Sequence, residues 1–429
     1  MRRTGTTRAL GALAAAALLT LTACSGSQTQ DDQDPAEPDP AATAEETTDA
    51  VDTVLTVWVM GDSGANLEAA VAPFTEETGI QVEVEAIPWD NVNDRLTTSI
   101  ASGSGPDVTQ IGLSHLASFL EGGALEDLTS YVGDYPNLDP ANFPSAAAAL
   151  NPEGGMFSVP WVSDTRVLFY RSDILAEAGI TEPPATWEDL KTTAATLAAR
   201  GDGQFGYYIP QWDAPLPVTY TWQTGADVIA ADGTIDIDTD GFRAAVDHYL
   251  GLYADGSVPT AGDFDQAAGF IAGTAPMLVS GPYLASAIKE QAPDLDGKWG
   301  VTTVPANETA TSLFAGSNLG VWAGTENLEA SLQLLDFLAA PETQVAWYQA
   351  VGELPAANAA FEDAALAGDP LVAVYAAQLQ DSLPLPISAA WAEANQAILD
   401  TLNAIALTGA DKDESLAALF ATVEEINAR

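Results

Sequence analysis

The chain has 429 residues, of which 61 are acidic and 13 are basic, so its formal net charge at pH 7 is −48. Apolar residues make up 47% of the chain, which is enough to form a core and excludes a disordered polyacid. Lysines and arginines do not cluster, which argues against nucleic acid or anionic lipid as a partner. The length predicts two lobes, at about 100 to 200 residues per domain, and the large net charge favours a monomer.

The N-terminus has the pattern of an export signal. Three arginines within the first eight residues precede an apolar stretch at residues 9–21. This stretch is shorter than the roughly 20 residues that a membrane-spanning helix requires. It ends in Leu-Thr-Ala-Cys, which resembles the lipobox of bacterial lipoproteins. We therefore predict a signal peptide over residues 1–23 and a lipidated Cys24, the only cysteine in the chain.

An acidic segment follows Cys24. Residues 25–50 contain eight acids, three prolines and no base. Such a composition cannot form a core, so residues 24–50 are predicted to be a lipidated, disordered tether.

Strands and helices alternate in the first part of the remaining chain. Short β-branched or alternating runs predict strands, and apolar residues at helical spacing predict helices. The predicted elements are a strand at Val54–Met60, a helix at Asn66–Thr78, a strand at Gln81–Ile87, a helix at Asp90–Ala101 and a strand at Val108–Leu113. This order indicates βαβ units, hence an α/β fold with mostly parallel sheets flanked by helices.

The later chain continues this pattern and then becomes mainly helical. The clearest predicted elements are helices at Trp187–Arg200 and Gly241–Ala254, a strand from Met277 that ends at Gly281, and helices at Leu328–Leu338, Gln344–Ala350 and Trp391–Leu407. Ligands of such folds bind at the carboxyl ends of strands. The candidate loops are therefore Asp62–Asn66, Gln110–His115 and Trp161–Arg166.

Sequence motifs for catalysis and for cofactors are missing. The chain has no phosphate-binding glycine loop, no G-x-S-x-G and no H-E-x-x-H, and its only histidines are His115 and His248. The segment from Asp236 to Gly241 resembles the start of a calcium loop, but Asp240 as a helix cap is the simpler interpretation. We predict neither a metal nor a cofactor.

The candidate loops mix aromatic rings, amides and single acids. Rings that stack on sugar faces and polar groups that pair with hydroxyls are typical of a sugar-binding groove. Two alternatives remain open. A cationic solute such as a polyamine would also suit acids and aromatics, and a pair of cleft carboxylates would suit a secreted glycosidase.

Five segments together resemble the extracellular solute-binding proteins of carbohydrate ABC importers, the maltose-binding-protein-like family. They are LTVWVMGDSGANLEAAVAPFTEETGIQVEVE, GSGPDVTQIGLSHLASFLEGGALEDL, FSVPWVSDTRVLFYRSDILAEAGITEPPATWEDL, FIAGTAPMLVSGPYLASAI and SLFAGSNLGVWAGTENLEASLQLLDFLAAPETQ. The resemblance covers some 370 residues. It implies a non-enzymatic, lipid-anchored sugar receptor on the outer face of the cytoplasmic membrane, which delivers an oligosaccharide or disaccharide to a membrane permease.

The resemblance also implies two lobes that close on the ligand. The N-lobe would comprise residues 51–160 and 317–350, and the C-lobe residues 161–316 and 351–429. The chain would cross between the lobes near Pro160–Arg166, Phe314–Asn318 and Gln349–Pro355.

Four residues fall on ligand contacts of the family: Asp62, Asp164, Tyr283 and Trp391. Asp62 matches an acid that bonds sugar hydroxyls, Asp164 matches a glutamate of the hinge region, and the other two match stacking tryptophans. Elsewhere the chain departs from the family, with Ser63 in place of a lysine, and Ile111, Ser114 and His115 in place of a tryptophan, an aspartate and an arginine. These departures mean that maltodextrin is not specified. Gln110 can substitute as a reader of hydroxyls, and the further predicted pocket residues are Trp161, Trp212, Asp213, Ser317 and Glu353.

Overall fold

The computed structural model describes residues 53–429 except 89–90, 149, 152–153 and 262–263. The predicted signal peptide, Cys24 and the acidic tether lie outside the described residues. Within the described residues, no helix is both long and apolar enough to cross a bilayer.

Two β-sheets organise the described chain. Their strands are β1 (Val54–Met60), β2 (Gln81–Ile87), β3 (Val108–Gly112), β4 (Val159–Thr165), β5 (Val167–Tyr170), β6 (Met277–Ser280), β7 (Gly300–Thr302), β8 (Ser312–Val321), β9 (Leu354–Pro355) and β10 (Ser382–Pro384).

The α-helices lie between and around these strands. They are α1 (Gly64–Thr78), α2 (Val92–Ser102), α3 (Leu116–Glu121), α4 (Ser145–Ala148), α5 (Ser172–Glu177), α6 (Trp187–Ala198), α7 (Pro215–Gln223), α8 (Asp240–Ala254), α9 (Gln266–Ile271), α10 (Pro282–Gln291), α11 (Leu328–Ala339), α12 (Pro341–Val351), α13 (Ala364–Ala367), α14 (Pro370–Leu379), α15 (Ala389–Thr408) and α16 (Lys412–Asn427).

Both sheets differ from the mostly parallel arrangement that the strand and helix order predicts. The larger sheet has the order β2-β1-β3-β8-β4-β9, with β10 also paired to β8. Strand β1 is parallel to β2 and β3, and β10 is parallel to β8, whereas β8 runs antiparallel to β3 and β4. The smaller sheet, β6-β5-β7, is antiparallel throughout. The overall sheet structure is therefore mixed. The sequence could not predict this, because short buried apolar runs look alike in parallel and antiparallel strands.

The three predicted crossing segments lie side by side. Strand β4 pairs with β8 on one side and with β9 on the other. It then continues through Arg166 into β5 of the smaller sheet. Strand β8 extends from Ser312 to Val321 and pairs with β3 through its second half. The β4, β8 and β9 strands are thus neighbours in the larger sheet, and β4 leads directly into the smaller one.

A glycine is required where β8 approaches β4. Gly316 has a φ of +129°, and a Cβ at this position would lie 2.0 Å from the carbonyl oxygen of Val162. The pairing of the two strands also shifts register between Pro160 and Val162. Any larger residue at position 316 would have to separate the two strands.

The predicted calcium-like segment serves as a helix start. Thr239, rather than the predicted Asp240, is the N-cap of α8, and its side chain accepts a hydrogen bond from the Phe242 amide. Asp238 pairs with Arg243. A threonine cap fits better because the chain is already helical at Asp240.

His248 on α8 is half-buried, and it provides a test of the packing. Its ring stacks on Trp187 with 4.1 Å between ring centroids, and burial lowers its pKa from 6.5 to about 4. The neutral ring therefore stabilises the fold above pH 6.5, and this contribution is lost as the pH falls through 4.

Urea unfolding should reveal this contribution. We expect the wild type to lose about 2 kcal/mol more stability between pH 7 and pH 4 than the His248→Gln variant, which cannot titrate there. Equal losses in the two proteins would show that His248 is not buried as a neutral group.

Candidate ligand-binding site

One cavity lies where β4, β8 and β9 meet the start of α10. We call it the carboxylate cavity, and its volume is about 430 Å³. It brings together five of the predicted site residues. Its lining comprises Gln110, Val162, Ser163, Asp164, Pro282, Tyr283, Ser286, Ala315, Gly316, Ser317, Val351, Gly352, Glu353 and Leu354.

An amide and a hydroxyl are fixed on adjacent strands of this cavity. The Gln110 side-chain oxygen accepts a hydrogen bond from the Met60 amide at 2.9 Å. Its side-chain nitrogen donates to Ser317 Oγ at 2.8 Å. Both side chains are 5% exposed, so their orientation is determined by β3 and β8 rather than by solvent. A fixed amide and hydroxyl can recognise ligand hydroxyl groups.

Two carboxylates face the same space. Asp164 Oδ1 is buried without a hydrogen-bond partner among the described residues, and burial raises the pKa of this group. Glu353 Oε2 accepts a hydrogen bond from Trp347 Nε1 at 2.8 Å. Burial also raises the pKa of Glu353, against the effect of that bond. Each carboxylate therefore retains acceptor capacity for a ligand.

The Asp164 carboxylate fits against a glycine. A Cβ at Gly281, the N-cap of α10, would lie 2.8 Å from Asp164 Oδ1. The hydrogen of Gly281 leaves room for the carboxylate beside the helix terminus. The G-P-Y motif thus serves the site through its glycine as well as through Tyr283.

Arg166 is a site residue that the sequence interpretation omitted. Its guanidinium carbon lies 5.7 Å from the centre of the Tyr283 ring. Burial lowers the pKa of Arg166, but the charges of Asp164 and Asp213 outweigh this and raise it. Its position could have identified it, because Arg166 is the only lysine or arginine within the three predicted ligand loops of this acidic chain.

Tyr283 offers the most accessible aromatic surface of the carboxylate cavity. It is 45% exposed, and its hydroxyl accepts hydrogen bonds from Ser280 Oγ at 3.0 Å and from the side-chain nitrogen of Gln266. Because the ring is held at its tip, its face can stack on a ligand without further ordering.

A second cavity of about 340 Å³ lies next to the first, and we call it the tryptophan cavity. It shares Ala315 and Gly316 with the carboxylate cavity, and Arg166 also lines it. Trp391 Nε1 and Asn395 Oδ1 are buried there without partners among the described residues. Its lining comprises Gly112, Leu113, Ser114, Ala117, Leu150, Arg166, Pro215, Leu313, Phe314, Ala315, Gly316, Pro384, Leu385, Pro386, Ile387, Ser388, Trp391, Ala392 and Asn395.

The remaining predicted site residues have other surroundings. Trp161 is 1% exposed and packs on Trp347 in the core. Asp62 is exposed and Ser63 is half-buried in the loop after β1, and neither lines a described cavity. Trp212 is 52% exposed, and its neighbour Asp213 is buried.

Two predicted residues belong to the tryptophan cavity. Trp391 is only 3% exposed, so most of its ring packs in the core and a stacking face is largely covered. Ser114 is exposed, and its hydroxyl lies 3.2 Å from Nδ1 of His115. In the described part of the chain, no three His, Cys, Asp or Glu side chains are grouped so as to hold a metal ion. The polar and aromatic groups that line the two cavities suit the binding of a polar small molecule.

The family follows from the sequence. Residues 58–345 match the profile of the bacterial extracellular solute-binding proteins. The chain belongs to this family, which confirms the predicted class and its α/β fold.

Several relatives are similar over most of their length. The maltooligosaccharide ABC transporter solute-binding lipoprotein of Streptococcus pneumoniae is 27% identical, over 81% of this chain and 84% of its own. The diacetylchitobiose binding protein of Streptomyces coelicolor is also 27% identical, over 77% and 83%. The structure of the sugar-binding protein MalE of Xanthomonas citri superposes with a TM-score of 0.82 at 27% identity, over 88% of this chain and 98% of that one.

Proposed function

We propose that this protein is the sugar-binding receptor of an ABC importer. It captures a disaccharide or oligosaccharide outside the cell and delivers it to the transmembrane subunits. The observation that carries the proposal is the carboxylate cavity, in which Gln110, Ser317, Asp164 and Glu353 present hydrogen-bonding groups beside the exposed ring of Tyr283. Rings together with fixed polar groups are the usual means of sugar recognition. The names of the relatives support the same class of ligand.

We also propose how the ligand acts on the receptor. Two lobes, residues 51–160 with 317–350 and residues 161–316 with 351–429, hinge about β4, β8 and β9. A ligand that contacts both lobes binds the closed state more tightly and increases its population. The permease then recognises the closed surface. No bond of the ligand is broken in this process.

We further propose that the receptor is a monomer anchored through Cys24. A lipid chain on Cys24 would hold the protein at the outer face of the cytoplasmic membrane, with the acidic segment as a tether. In cells, we expect a Cys24→Ala variant to move from the membrane fraction to the medium. Unchanged membrane association would contradict the anchor.

Calorimetry tests the function. We expect at least one of maltose, trehalose, cellobiose, chitobiose and xylobiose to bind at submillimolar concentration. An absence of binding to all five at millimolar concentration would contradict the proposal. Product release from aryl glycosides that is lost on changing Asp164 would instead indicate a glycosidase.

Gly281→Ala should weaken binding without unfolding the protein. The added methyl group would displace the Asp164 carboxylate, and rotating the end of a side chain costs little. We expect about a tenfold loss of affinity for the sugar that the screen identifies, from one displaced hydrogen bond to a charged group. Gly133→Ala is the control, because a Cβ there contacts nothing within 4 Å. Equal affinities of the two variants would show that Asp164 does not contact the ligand.

A further inference from the structure

Acidic side chains outnumber basic ones around the carboxylate cavity. Asp164, Glu353 and the neighbouring Asp213 are three acids, and Arg166 is the base that interacts with two of them. None of the ion pairs among the described residues includes any of these three acids. Burial raises the pKa of all three acids, because a buried carboxylate without a close cation is costly, so a cation bound in the cavity would favour their ionised forms.

Two buried oxygen atoms of the cavity lining are not hydrogen-bonded within the described part of the chain. Asp164 Oδ1 has no partner among the described residues, and neither has the hydroxyl of Ser163, which is 1% exposed and lines the same cavity. A sugar hydroxyl brings one donor, whereas a protonated amine brings three donors and no acceptor. A ligand amine would therefore supply both the donors and the charge.

The aromatic ring of the cavity suits the same group. Tyr283 already has the Arg166 guanidinium near its ring, and it remains 45% exposed. The negative face of an aromatic ring attracts ammonium groups as well as sugar faces. The ring face of Tyr283 can therefore contact both the ring carbons and the amine of an amino sugar.

We propose that the natural ligand carries a protonated amine on a sugar ring, which lies between Asp164 and Glu353. This inference rests on the proposed function and narrows the class of sugar. It differs from simple polyamine binding, because Gln110 and Ser317 are fixed for hydroxyl groups and not for a second ammonium group.

Calorimetry with matched sugars tests the proposal. Cellobiose, diacetylchitobiose and chitobiose share one scaffold and carry a hydroxyl, an acetamide and an amine, respectively, at the same ring position. Trehalose and its 2-amino derivative form a second pair. In at least one series, we expect the amine to bind roughly ten- to a hundredfold more tightly than the neutral sugars at pH 7 and low salt. This advantage should shrink as salt is added.

A charge-neutral variant tests the residue assignment. Glu353→Gln should lower the affinity for the amine by a larger factor than it lowers the affinity for the neutral sugar. Glu424→Gln, which changes an exposed carboxylate on α16, should leave the ratio of the two affinities unchanged.

The outcomes separate this inference from the proposed function. If the neutral sugars bind as tightly as the amino sugars of the same series, the inference is overturned but the proposed sugar-binding function is not. If none of the sugars in the screen or in the two matched series binds, the result would count against both proposals. Tight binding of spermidine with no binding of amino sugars would identify a polyamine receptor and overturn both.

Discussion

Replacing Arg166 with leucine should destabilise the protein by about 1 to 3 kcal/mol at pH 7.5, the cost of leaving buried acids without a nearby cation. The guanidinium is flanked by the charges of Asp164 and Asp213, and both acids sit in buried surroundings. Removing the cation leaves two carboxylates without their compensating charge. Urea unfolding at equilibrium would measure the loss.

The loss should depend on pH in a defined direction. Arg166 lowers the pKa of both acids against the effect of burial, so its removal raises both pKa values further. The folded variant then binds more protons than the unfolded chain as the pH falls. The deficit relative to the wild type should therefore shrink in acid.

Arg243 provides a matched control. It also lies over an aromatic ring, with its guanidinium carbon 4.6 Å from the centre of the Phe420 ring, and it pairs with Asp238. Both partners of that ion pair are about half exposed to solvent. Arg243→Leu should therefore cost less than about 1 kcal/mol at any pH. Similar losses for the two arginines would refute a special role for Arg166.

Gly316→Ala should be comparably damaging, at about 3 kcal/mol or more. The left-handed backbone at this position costs roughly 1 to 2 kcal/mol for a residue with a Cβ. In addition, the methyl group would lie 2.0 Å from the Val162 carbonyl oxygen, which is backbone and cannot rotate away. The β4 and β8 strands would have to separate. Thermal unfolding should show a lowered midpoint, and calorimetry should show an altered ligand affinity.

Gly251→Ala is the control for this substitution. Gly251 lies within α8, and a Cβ there contacts nothing within 4 Å. Because alanine favours a helix over glycine, we expect a gain of about 0.5 to 1 kcal/mol. A Gly316→Ala protein as stable as the wild type would show that β4 and β8 can move apart at little cost.

The regular elements were predictable because their signals are local. Strands β1 and β2 have the predicted bounds, and α1 ends at Gly79 in the left-handed conformation that its glycine favours. The direction of β8 was not predictable. Its partners β3 and β4 lie more than 100 residues away in sequence, and no local pattern records which way such strands run.

The structure brings only some of the predicted site residues together. Gln110 and Ser317 are 207 residues apart in sequence, and their pairing depends on the adjacency of β3 and β8. Trp161 was predicted to line the pocket but packs in the core. An aromatic residue in a ligand loop gives the same sequence pattern in either situation. Whether the gathered residues contact the sugar stays a prediction.

Ala315 and Gly316 form part of the wall of both cavities. Their side chains are a methyl group and a hydrogen atom, the two smallest available. A larger side chain at position 315 would reduce the volume of both cavities at once, so this position can limit the length of the ligand. A related receptor could shift from long to short oligosaccharides through one substitution there, without rebuilding either cavity.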